Sequence, residues 1–537
     1  MIGAFSTERH YRWLLPAVLV ALGWLAWTRR FIQDDAFISF RYARNLVEGA
    51  GLVWNPGERV EGYTNFLWTL GMGVPFLLGV DPIAFCYALG PVFCVLTLYV
   101  TSRIVRLLVP STDAALLAVV LLGTNPSFAG YATGGLETPL LTCLQTALVW
   151  LLLECERRDS AGVARYAGLS VLGALCVMTR LDAAPVVGLA LVFAEIWRRP
   201  ASRAESARSL AALIAPMLVL VGGWLAWKVG YYGELIPNTF FAKTGASGNW
   251  QRGLGYLWTY VSSYLLLPVL ALIAAATPRL IKRAPGPWIA LASMLLVHAV
   301  YVASIGGDFM EFRMMVPGLP LLVALTVWSL FTYTATTLLR AAGALVVLLG
   351  SAYHAYAFTY TRGIETLAGL ESHLYDPVQD WVGLGKALGQ AFPDAKDVSI
   401  ALTPAGAIPF YSQLPSVDML GLNDPWVARH GIRMTSQPGH VRVAPLSYLV
   451  ARRVQLVLVH PWVNRPSPPM RTSYALGEFK RFILLFDVTA ASLPPGASIV
   501  EIPLEDTRVL VALYLTPHPR VDALISLGRW RRFAIDR

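Results

Sequence analysis

Two adjacent aspartates, Asp34 and Asp35, open the most polar segment of an otherwise apolar N-terminal region. The segment reads QDDAFISFRYARNLVEGAGLVWNPGERVEGYTNF and runs from Gln33 to Phe66. A single aspartate would suffice to cap the helix that follows, so the second favours a chemical role. A carboxylate can accept a proton from a hydroxyl nucleophile, or stabilise the positive charge that develops at the anomeric carbon of a sugar. We therefore predict that both aspartates are catalytic.

Further polar motifs stand between the long apolar runs of the chain. Arginine and lysine side chains bind phosphate through charge-assisted hydrogen bonds, which makes Arg180, Lys243 and Arg313 candidates for that role. Ionisable groups near a membrane are costly and therefore tend to be functional. We predict that the following residues bind the phosphate or the sugar of a donor substrate: Arg41, Glu61, Tyr63, Glu137, Arg180, Asp182, Asn238, Lys243, Asp308 and Arg313.

Each of these motifs also has a structural explanation. The NPGE sequence at residues 55–58 is a plausible turn, and the two glycines of TGGLETP permit close approach of the backbone. Glu137 could cap the next helix, and Lys243 could extend from an apolar stem toward the membrane surface. The motifs nevertheless converge on one predicted side of the membrane, which favours the functional interpretation.

The composition is typical of an integral membrane protein. Of the 537 residues, 56% are hydrophobic and 14% are charged, with a mean hydropathy of +0.55. A span needs roughly 17–25 apolar residues. Eleven segments approach that length: 14–28, 83–102, 114–129, 137–154, 165–179, 183–197, 210–228, 254–276, 287–305, 315–334 and 338–358. The net charge is +10, but much of the Lys and Arg lies between apolar runs, where it sets topology, so nucleic-acid binding is not indicated.

The basic loops predict how the chain crosses the membrane. The first span, Leu14–Trp27, has no cleavage site after it, so we predict that it is retained. The apolar segment Phe66–Val80 is interrupted by Gly71, Gly73 and Pro75. If it does not cross, nearly all basic loops share the side of the N-terminus, as the positive-inside rule requires, with Arg29 and Arg30 as the exceptions. The residues on that side are Arg9, Arg12, Arg103, Arg106, Arg157, Arg158, Arg165, the segment RRPASRAESAR, Arg279, Lys282, Arg283 and Arg340.

We therefore predict that Phe66–Val80 is a juxtamembrane or re-entrant segment. The N-terminus is then cytoplasmic, and the first loop, residues 29–82, lies on the outer side of the membrane. The motifs named above share that side, so any chemistry is predicted to take place outside.

The residues after Gln33 predict a helix that ends near Gly49. Its apolar and polar residues fall on different faces: Phe37, Phe40, Ala43 and Val47 against Ser39, Arg41, Arg44 and Glu48. Such amphipathicity is typical of a helix lying along a membrane surface. In this interpretation Asp34 or Asp35 is the N-cap of the helix.

After about Thr359 the pattern changes to that of an α/β domain. The β-branched runs DVSIAL, VQLVLVH, ASIVEIPL and RVLVALYL are separated by Pro, Gly and charged residues. We predict a catalytic membrane domain over residues 1–358 and an extracytoplasmic α/β domain over residues 359–537. The segment AGAIPFYSQLPSVDMLGLND, residues 405–424, is either an acceptor surface or a structural turn. The five cysteines lie in or beside apolar runs and are predicted to be buried rather than bridged or metal-bound.

The order of these motifs resembles a known family. The motifs are DDAFISFRYARNLVEGAGLVWNPGERVEGYTNFLW, GLETPL, YYGELIPNTFFAKTG, GGDFM with a following Arg and Pro, and AGAIPFYS with VDMLGLND. Over residues 33 to about 424 they are similar to the mycobacterial terminal β-(1→2)-arabinofuranosyltransferases and their bacterial relatives, of the GT-C superfamily of polytopic glycosyltransferases. The resemblance implies an α-helical membrane protein with juxtamembrane helices, and it implies that an acidic motif in the first outer loop, here Asp34 and Asp35, is catalytic.

The resemblance also implies substrates and a location. The donor would be a polyprenyl-phosphate sugar, with arabinofuranose the leading candidate and a hexose or aminoarabinose the alternative. The acceptor would be a cell-envelope polysaccharide or glycolipid, outside the bacterial plasma membrane. The chain departs from the family pattern at two places: Leu181 replaces the Pro of a common Arg-Pro-Asp, and Glu311 and Phe312 replace a common Pro-Gly before Arg313.

The sequence is also compatible with two other functions. A transporter or flippase of lipid-linked glycans would also need many spans, although transporters usually place polar groups at the bilayer midplane and often contain repeats. A non-catalytic envelope assembly factor would leave the aspartate pair without a purpose beyond capping. The two aspartates could hold Mg²⁺ or Mn²⁺, but the loop offers no third clear ligand, so we predict no obligatory metal cofactor.

Overall fold

A computed structural model describes most of the chain. The described residues are 2–158, 162–200, 202–243, 249–334, 336–435, 437, 439–478, 488–489, 491–504 and 507–536. The last residues of the predicted YYGELIPNTFFAKTG motif, Thr244 and Gly245, lie outside them.

The first two thirds of the described chain are helical. The α-helices there are α1 (Ile2–Thr28), α2 (Asp34–Val47), α3 (Phe66–Gly71), α4 (Gly73–Leu78), α5 (Pro82–Leu108), α6 (Thr112–Gly123), α7 (Pro126–Gly130), α8 (Thr138–Glu156), α9 (Val163–Thr179), α10 (Ala184–Ile196), α11 (Arg203–Tyr232), α12 (Asn238–Lys243), α13 (Trp250–Ser263), α14 (Leu267–Arg283), α15 (Pro285–Ile305), α16 (Leu319–Tyr333) and α17 (Thr337–Ala357). Short 3-10 helices at Leu181–Ala183 and Arg313–Gly318 precede α10 and α16.

Helix length and composition make the protein a multi-pass membrane protein. In the described part of the chain 7 helices are long and apolar enough to span a bilayer, or 8 if α13 and α14, bent by 94° at their junction, form one span. Helices α6, α9 and α10 also coincide with predicted spans, but they are shorter. The predicted segment 254–276 is broken between α13 and α14, and 114–129 is broken between α6 and α7. Each of the other segments lies mainly in one helix, while the count of eleven crossings stays a prediction.

The interrupted segment after Phe66 forms two short helices, α3 and α4, of 6 residues each. Together with the residue between them they extend about 20 Å at 1.5 Å per residue, whereas the hydrocarbon core is roughly 30 Å thick. The segment is thus interrupted between Gly71 and Gly73, and its juxtamembrane or re-entrant position stays a prediction.

The C-terminal region is an α/β domain, as predicted. Its helices are α18 (Leu367–Tyr375), α19 (Trp381–Ala391), α20 (Ala407–Ser412), α21 (Pro425–His430), α22 (Leu446–Ala451) and α23 (Pro519–Ser526). Its strands are β1 (Ile400–Leu402), β2 (Ser416–Asp418), β3 (Ile432–Arg433), β4 (Arg442–Val443), β5 (Leu456–Val459), β6 (Val463–Asn464), β7 (Ser473–Ala475), β8 (Ser498–Pro503), β9 (Val509–Tyr514) and β10 (Arg531–Asp536).

One mixed sheet organises this domain, with strand order β2-β1-β5-β9-β8-β10-β7 and β6 beside β9. Strands β2, β1 and β5 are parallel, and β5, β9, β8 and β10 are antiparallel neighbours. The four predicted β-branched runs supply β1, β5, β8 and β9. Because β1 and β5 are parallel, the segments that follow them emerge at the same edge of the sheet.

Helix α2 does not present its apolar face to the membrane surface, and that expectation is wrong. Phe37, Phe40 and Ala43 are fully buried in a hydrophobic cluster shared with the C-terminal domain. The rings of Phe37 and Phe40 lie 5.4 and 6.1 Å from that of Phe410 in α20. Burial against protein aromatic rings satisfies the same amphipathic pattern as burial in lipid, so the pattern alone did not distinguish them. The first loop therefore joins the two domains.

The described structure leaves all five cysteines free, and four of them are buried. They lie in the helical region, as the apolar sequence around them predicted. Their role is therefore packing.

Candidate active site

Asp34 joins the first loop to the C-terminal domain. The N-cap of α2 is Gln33, which makes no side-chain capping bond, so the prediction that an aspartate caps this helix is wrong. The Asp34 carboxylate instead accepts hydrogen bonds from the backbone N–H groups of Gly406 (3.1 Å) and Ala407 (2.7 Å). Burial, with Asp35 adding to it, raises the pKa of Asp34 to about 7 despite these donors. Asp34 is thus an anchored carboxyl group.

Gly406 is required by this anchor. A Cβ atom at residue 406 would lie 1.9 Å from the Asp34 backbone oxygen, closer than any side chain tolerates. The glycine follows β1, in the segment that the sequence left open between an acceptor surface and a structural turn. Its structural role is clear: it lets the backbone of the C-terminal domain approach Asp34.

Asp35 occupies the next position of α2 and is held differently. Within the described residues its carboxylate makes no hydrogen bond and no ion pair, although it is only partly accessible to solvent. Burial raises its pKa, and the positive charges of Arg313 and Lys243 act in the opposite direction. A carboxylate that is unbonded but flanked by cations is available to a reacting hydroxyl.

Arg313 is held near Asp35 by a glycine-rich turn. Its guanidinium donates to Asp308 with Nε and Nη2 at 2.8 and 2.7 Å from the Oδ2 atom. Gly306 and Gly307, which have positive φ angles of 90° and 72°, let the chain turn between the end of α15 and Asp308. The predicted pair Asp308 and Arg313 is therefore a buried ion pair at the base of the site.

Glu311 and Phe312, which depart from the family pattern before Arg313, each make defined contacts in the structure. Phe312 adopts φ 44°, a left-handed conformation that is costly for a bulky residue. Its ring lies 5.2 Å from Tyr260 and 5.4 Å from His354, so packing offsets that cost. The Glu311 carboxylate accepts a hydrogen bond from the Leu367 N–H and lies 2.9 Å from His354 Nε2. These residues tie the turn to α17 and to the chain that leads into α18.

A second charged group lies between α8 and α9. Arg180 pairs with Glu137 and with Asp182, and the Asp182 Oδ1 atom is 2.9 Å from the arginine Nε. Glu137 also accepts a hydrogen bond from Asn65 (2.8 Å), whose amide in turn bonds Ser39 on α2. The Glu137 side chain makes no capping bond at α8. This network holds α2 against the membrane helices.

The ion pairs line a cavity. Its wall includes Glu137, Arg180, Asp182, His298 and Arg313. Arg313 faces this cavity and also lies close enough to Asp35 to influence its pKa. The cavity and the Asp35 carboxylate therefore have Arg313 as a common neighbour.

Lys243 lies at the C-terminal end of α12 and is solvent-exposed in its position beside Asp35 and Arg313. Surrounding protein and Arg313 lower the pKa of its ammonium group. Among the described residues it makes no ion pair, unlike Arg180 and Arg313. It is thus a cation with unused hydrogen-bonding capacity beside the carboxylate.

Four of the predicted binding residues make contacts that join parts of the structure, and none of these contacts involves Asp35. Arg41 is buried and donates to backbone oxygens of Trp54 and Leu414. Glu61 forms a buried ion pair with Lys228 of α11, 2.8 Å apart. Tyr63 of the first loop contacts Tyr232 of α11. Asn238 of α12 donates to the carbonyls of Gly421 and Leu422 in the C-terminal domain.

The prediction missed two histidines near the aspartates. His373 of α18 and His440 lie close enough to influence the pKa values of Asp34 and Asp35, respectively. His373 Nε2 is 2.8 Å from Glu365. Isolated histidines in different segments carry no local sequence signal, and these are brought together by the sheet.

Within the part of the chain described here, no group of three His, Cys, Asp or Glu residues has the arrangement of a metal site. Two adjacent carboxylates alone fall short of the six or more oxygen ligands of Ca²⁺ or Mg²⁺, so a bound ion would need substrate or water oxygens. The absence of an obligatory metal stays a prediction.

The sequence is similar to two curated enzymes. Terminal β-(1→2)-arabinofuranosyltransferase of Mycobacterium tuberculosis is 30% identical over 361 residues, 58% of this chain and 54% of the relative. The enzyme of the same description from Corynebacterium glutamicum is 30% identical over 349 residues, 56% of this chain and 48% of the relative. The match thus spans about half the length of these relatives. The resemblance that the motifs indicated is confirmed.

The fold is also similar to that of a solved enzyme. A crystal structure of ArnT from Cupriavidus metallidurans, bound to undecaprenyl phosphate, matches with a TM-score of 0.55 and 16% identity, over 94% of this chain and 98% of that chain. This likeness shows that the chain shares the fold of that structure, a helical membrane region followed by a C-terminal domain. In the C-terminal domain, residues 371–508 match a family model described as a domain of unknown function, DUF8728.

Proposed function

We propose that this protein is a membrane glycosyltransferase that transfers a sugar from a polyprenyl-phosphate donor to a cell-envelope glycan or glycolipid. The observation that carries the proposal is the position of Asp35, an unbonded carboxylate flanked by Lys243 and Arg313. The similarity to arabinofuranosyltransferases supports arabinofuranose as the sugar.

In the proposed reaction Asp35 is the general base. It takes the proton of the acceptor hydroxyl as that oxygen attacks the anomeric carbon, and the bond from this carbon to the phosphate oxygen breaks. The carboxylate also stabilises the positive charge that develops on the sugar. Its freedom from hydrogen bonds in the described structure suits this role, because an anchored carboxylate such as Asp34 would have to give up its donors first.

The leaving phosphate is proposed to bind Lys243. Arg180 and Arg313 are already paired with carboxylates, whereas Lys243 is not. A lysine with three free N–H donors can bind the phosphate oxygens as the negative charge shifts onto them. Arg313, which is paired with Asp308, adds its positive charge to the same site.

The site is proposed to lie on the extracytoplasmic side, with the N-terminus in the cytoplasm. The distribution of basic loops supports this orientation. A lipid-borne donor suits it, because nucleotide-activated sugars are not available outside the plasma membrane. No divalent metal is required by the proposed chemistry, since phosphate is a fair leaving group and the cations are supplied by side chains.

The test is transfer from polyprenyl-phospho-arabinofuranose in proteoliposomes. Asp35→Asn should lower the transfer rate by about 100-fold or more, the usual consequence of losing a general base, while donor binding and thermal stability persist. Asp113→Asn, at an exposed aspartate of α6, is the matched control and should transfer normally. Normal transfer by the Asp35 variant would refute the proposal. Movement of the lipid-linked sugar across the bilayer without transfer would favour the flippase alternative.

A further inference from the structure

The segments that follow β1 and β5 lie side by side next to the aspartates. Thr403 to Gly406 follow β1, and the last of them binds Asp34. His460, Pro461 and Trp462 follow β5, and the Thr403 Oγ1 atom is 3.3 Å from His460 Nδ1. Ligands of open α/β sheets bind at the carboxyl ends of parallel strands, which is the position of both segments.

Four rings form a continuous cluster at this edge. His373 stacks on Trp381 with ring centres 4.8 Å apart and planes at 7°. His460 is edge-on to Trp381 at 5.4 Å and lies 5.7 Å from Trp462. Trp381 is buried, but 40% of Trp462 is exposed. The cluster thus ends in an indole ring that is open to solvent, and the proposed reaction does not use it.

The two histidines of the cluster differ in the hydrogen bonds that remain to them. Both ring nitrogens of His373 are engaged, by Glu365 and Gln379. His460 uses Nδ1 toward Thr403, and in the described structure its Nε2 makes no hydrogen bond. Burial and the neighbouring His373 and His440 lower the pKa of His460 to about 4. Above that pH the ring is neutral and suits a hydroxyl group rather than a phosphate.

The cluster is close to the proposed general base. His440 influences the pKa values of both Asp35 and His460, so it lies near both groups. An exposed indole beside a neutral imidazole matches an uncharged, polyhydroxylated ring, with one apolar face for the indole and hydroxyl groups for the imidazole.

We infer that Trp462 and His460 form an acceptor subsite that binds one sugar unit of an uncharged glycan. Trp462 stacks on the face of that sugar, and His460 Nε2 hydrogen-bonds one of its hydroxyls. The chain of the glycan then directs its reacting hydroxyl toward Asp35. This inference rests on the proposed function for the identity of its ligand, but binding can be measured without catalysis.

The experiment measures binding of the full-length protein in detergent to two immobilised probes, an arabinofuranosyl hexasaccharide and a mannopyranosyl hexasaccharide, by surface plasmon resonance. Trp462→Ala and His460→Ala should each weaken binding of at least one probe by about tenfold or more, as expected for a stacked aromatic anchor and its hydrogen-bonding partner. Trp462→Phe should retain part of the affinity, because a smaller ring still stacks.

Trp426→Ala is the matched control, since Trp426 belongs to the same domain and is 38% exposed. It should bind within about twofold of the wild type. Equal weakening by Trp426→Ala and Trp462→Ala, unchanged affinity of both cluster variants, or failure of the wild type to bind either probe would overturn the inference. Asp35→Asn should bind the glycan normally. If that variant also transfers sugar normally, the proposed general base fails while the glycan subsite stands.

Discussion

The two walls around the aspartate pair are built from different chemistry. The membrane domain contributes Arg180, Arg313 and Lys243, and two of these cations are held in buried ion pairs. The C-terminal domain contributes backbone N–H groups, which anchor Asp34, and a group of histidine and tryptophan rings. The charged side chains thus come from the membrane domain, whereas backbone N–H groups and aromatic rings come from the C-terminal domain.

This difference indicates how adjacent residues of one helix turn acquired separate roles. Asp34 uses its carboxylate to bind one wall, and Asp35 directs an unbonded carboxylate toward the charges of the other. The following changes test each wall, in order of expected effect.

The largest effect is expected from Arg180→Gln. The change leaves Glu137 and Asp182 buried without their cation, and removing one partner of a buried pair costs about 3–5 kcal/mol. Thermal unfolding in detergent should show a clear loss of stability. Arg158→Gln breaks a pair with Glu154 in which the arginine is 48% exposed, and should change stability by less than about 1 kcal/mol. Equal stability of the two variants would contradict a structural role for Arg180.

Lys243→Gln should weaken donor binding. A hydrogen bond to a charged group contributes about 1.5–3 kcal/mol, so the KM for the polyprenyl-phosphate sugar should rise roughly 10- to 100-fold with little change in thermal stability. Lys282→Gln, at an exposed lysine in the last turn of α14, is the control and should leave KM unchanged. A fall in kcat at constant KM would place Lys243 outside phosphate binding.

Gly406→Ala tests the wall of the C-terminal domain. The added methyl group meets the Asp34 backbone, and overpacking of this kind costs about 1–3 kcal/mol. Limited proteolysis should release the C-terminal domain more readily from this variant than from the wild type. At Gly477 an added Cβ meets nothing within 4 Å, so Gly477→Ala should behave as the wild type. Unchanged protease resistance at residue 406 would argue against the anchor.

The pH profile of kcat/KM is expected to show the smallest effect. The base acts in its ionised form, so activity is lost as pH falls through the pKa of Asp35, which burial raises above the ordinary aspartate value. The acid limb should therefore lie above about pH 4. Because Lys243 lowers this pKa, Lys243→Gln should move the limb to higher pH. A shift to lower pH would exclude Asp35 as the titrating group.

Local patterns predicted much of the architecture correctly. Hydropathy located the helices of the membrane domain, and the β-branched runs located β1, β5, β8 and β9. The polar motifs also identified Glu137, Arg180, Asp182, Lys243, Asp308 and Arg313, which the structure brings together. The helix and strand predictions succeeded because a helix or strand repeats its apolar positions over a few residues.

The sequence by itself determined that the chain enters a membrane, where its helices lie, and that an acidic pair starts an amphipathic helix. Only the tertiary structure decided that this helix packs on protein rather than lipid, that Asp34 is anchored while Asp35 is free, and that histidines complete the site. Asp34 and Gly406 are 372 residues apart in the chain. Contacts at that separation depend on how the two domains pack, and no local periodicity encodes them.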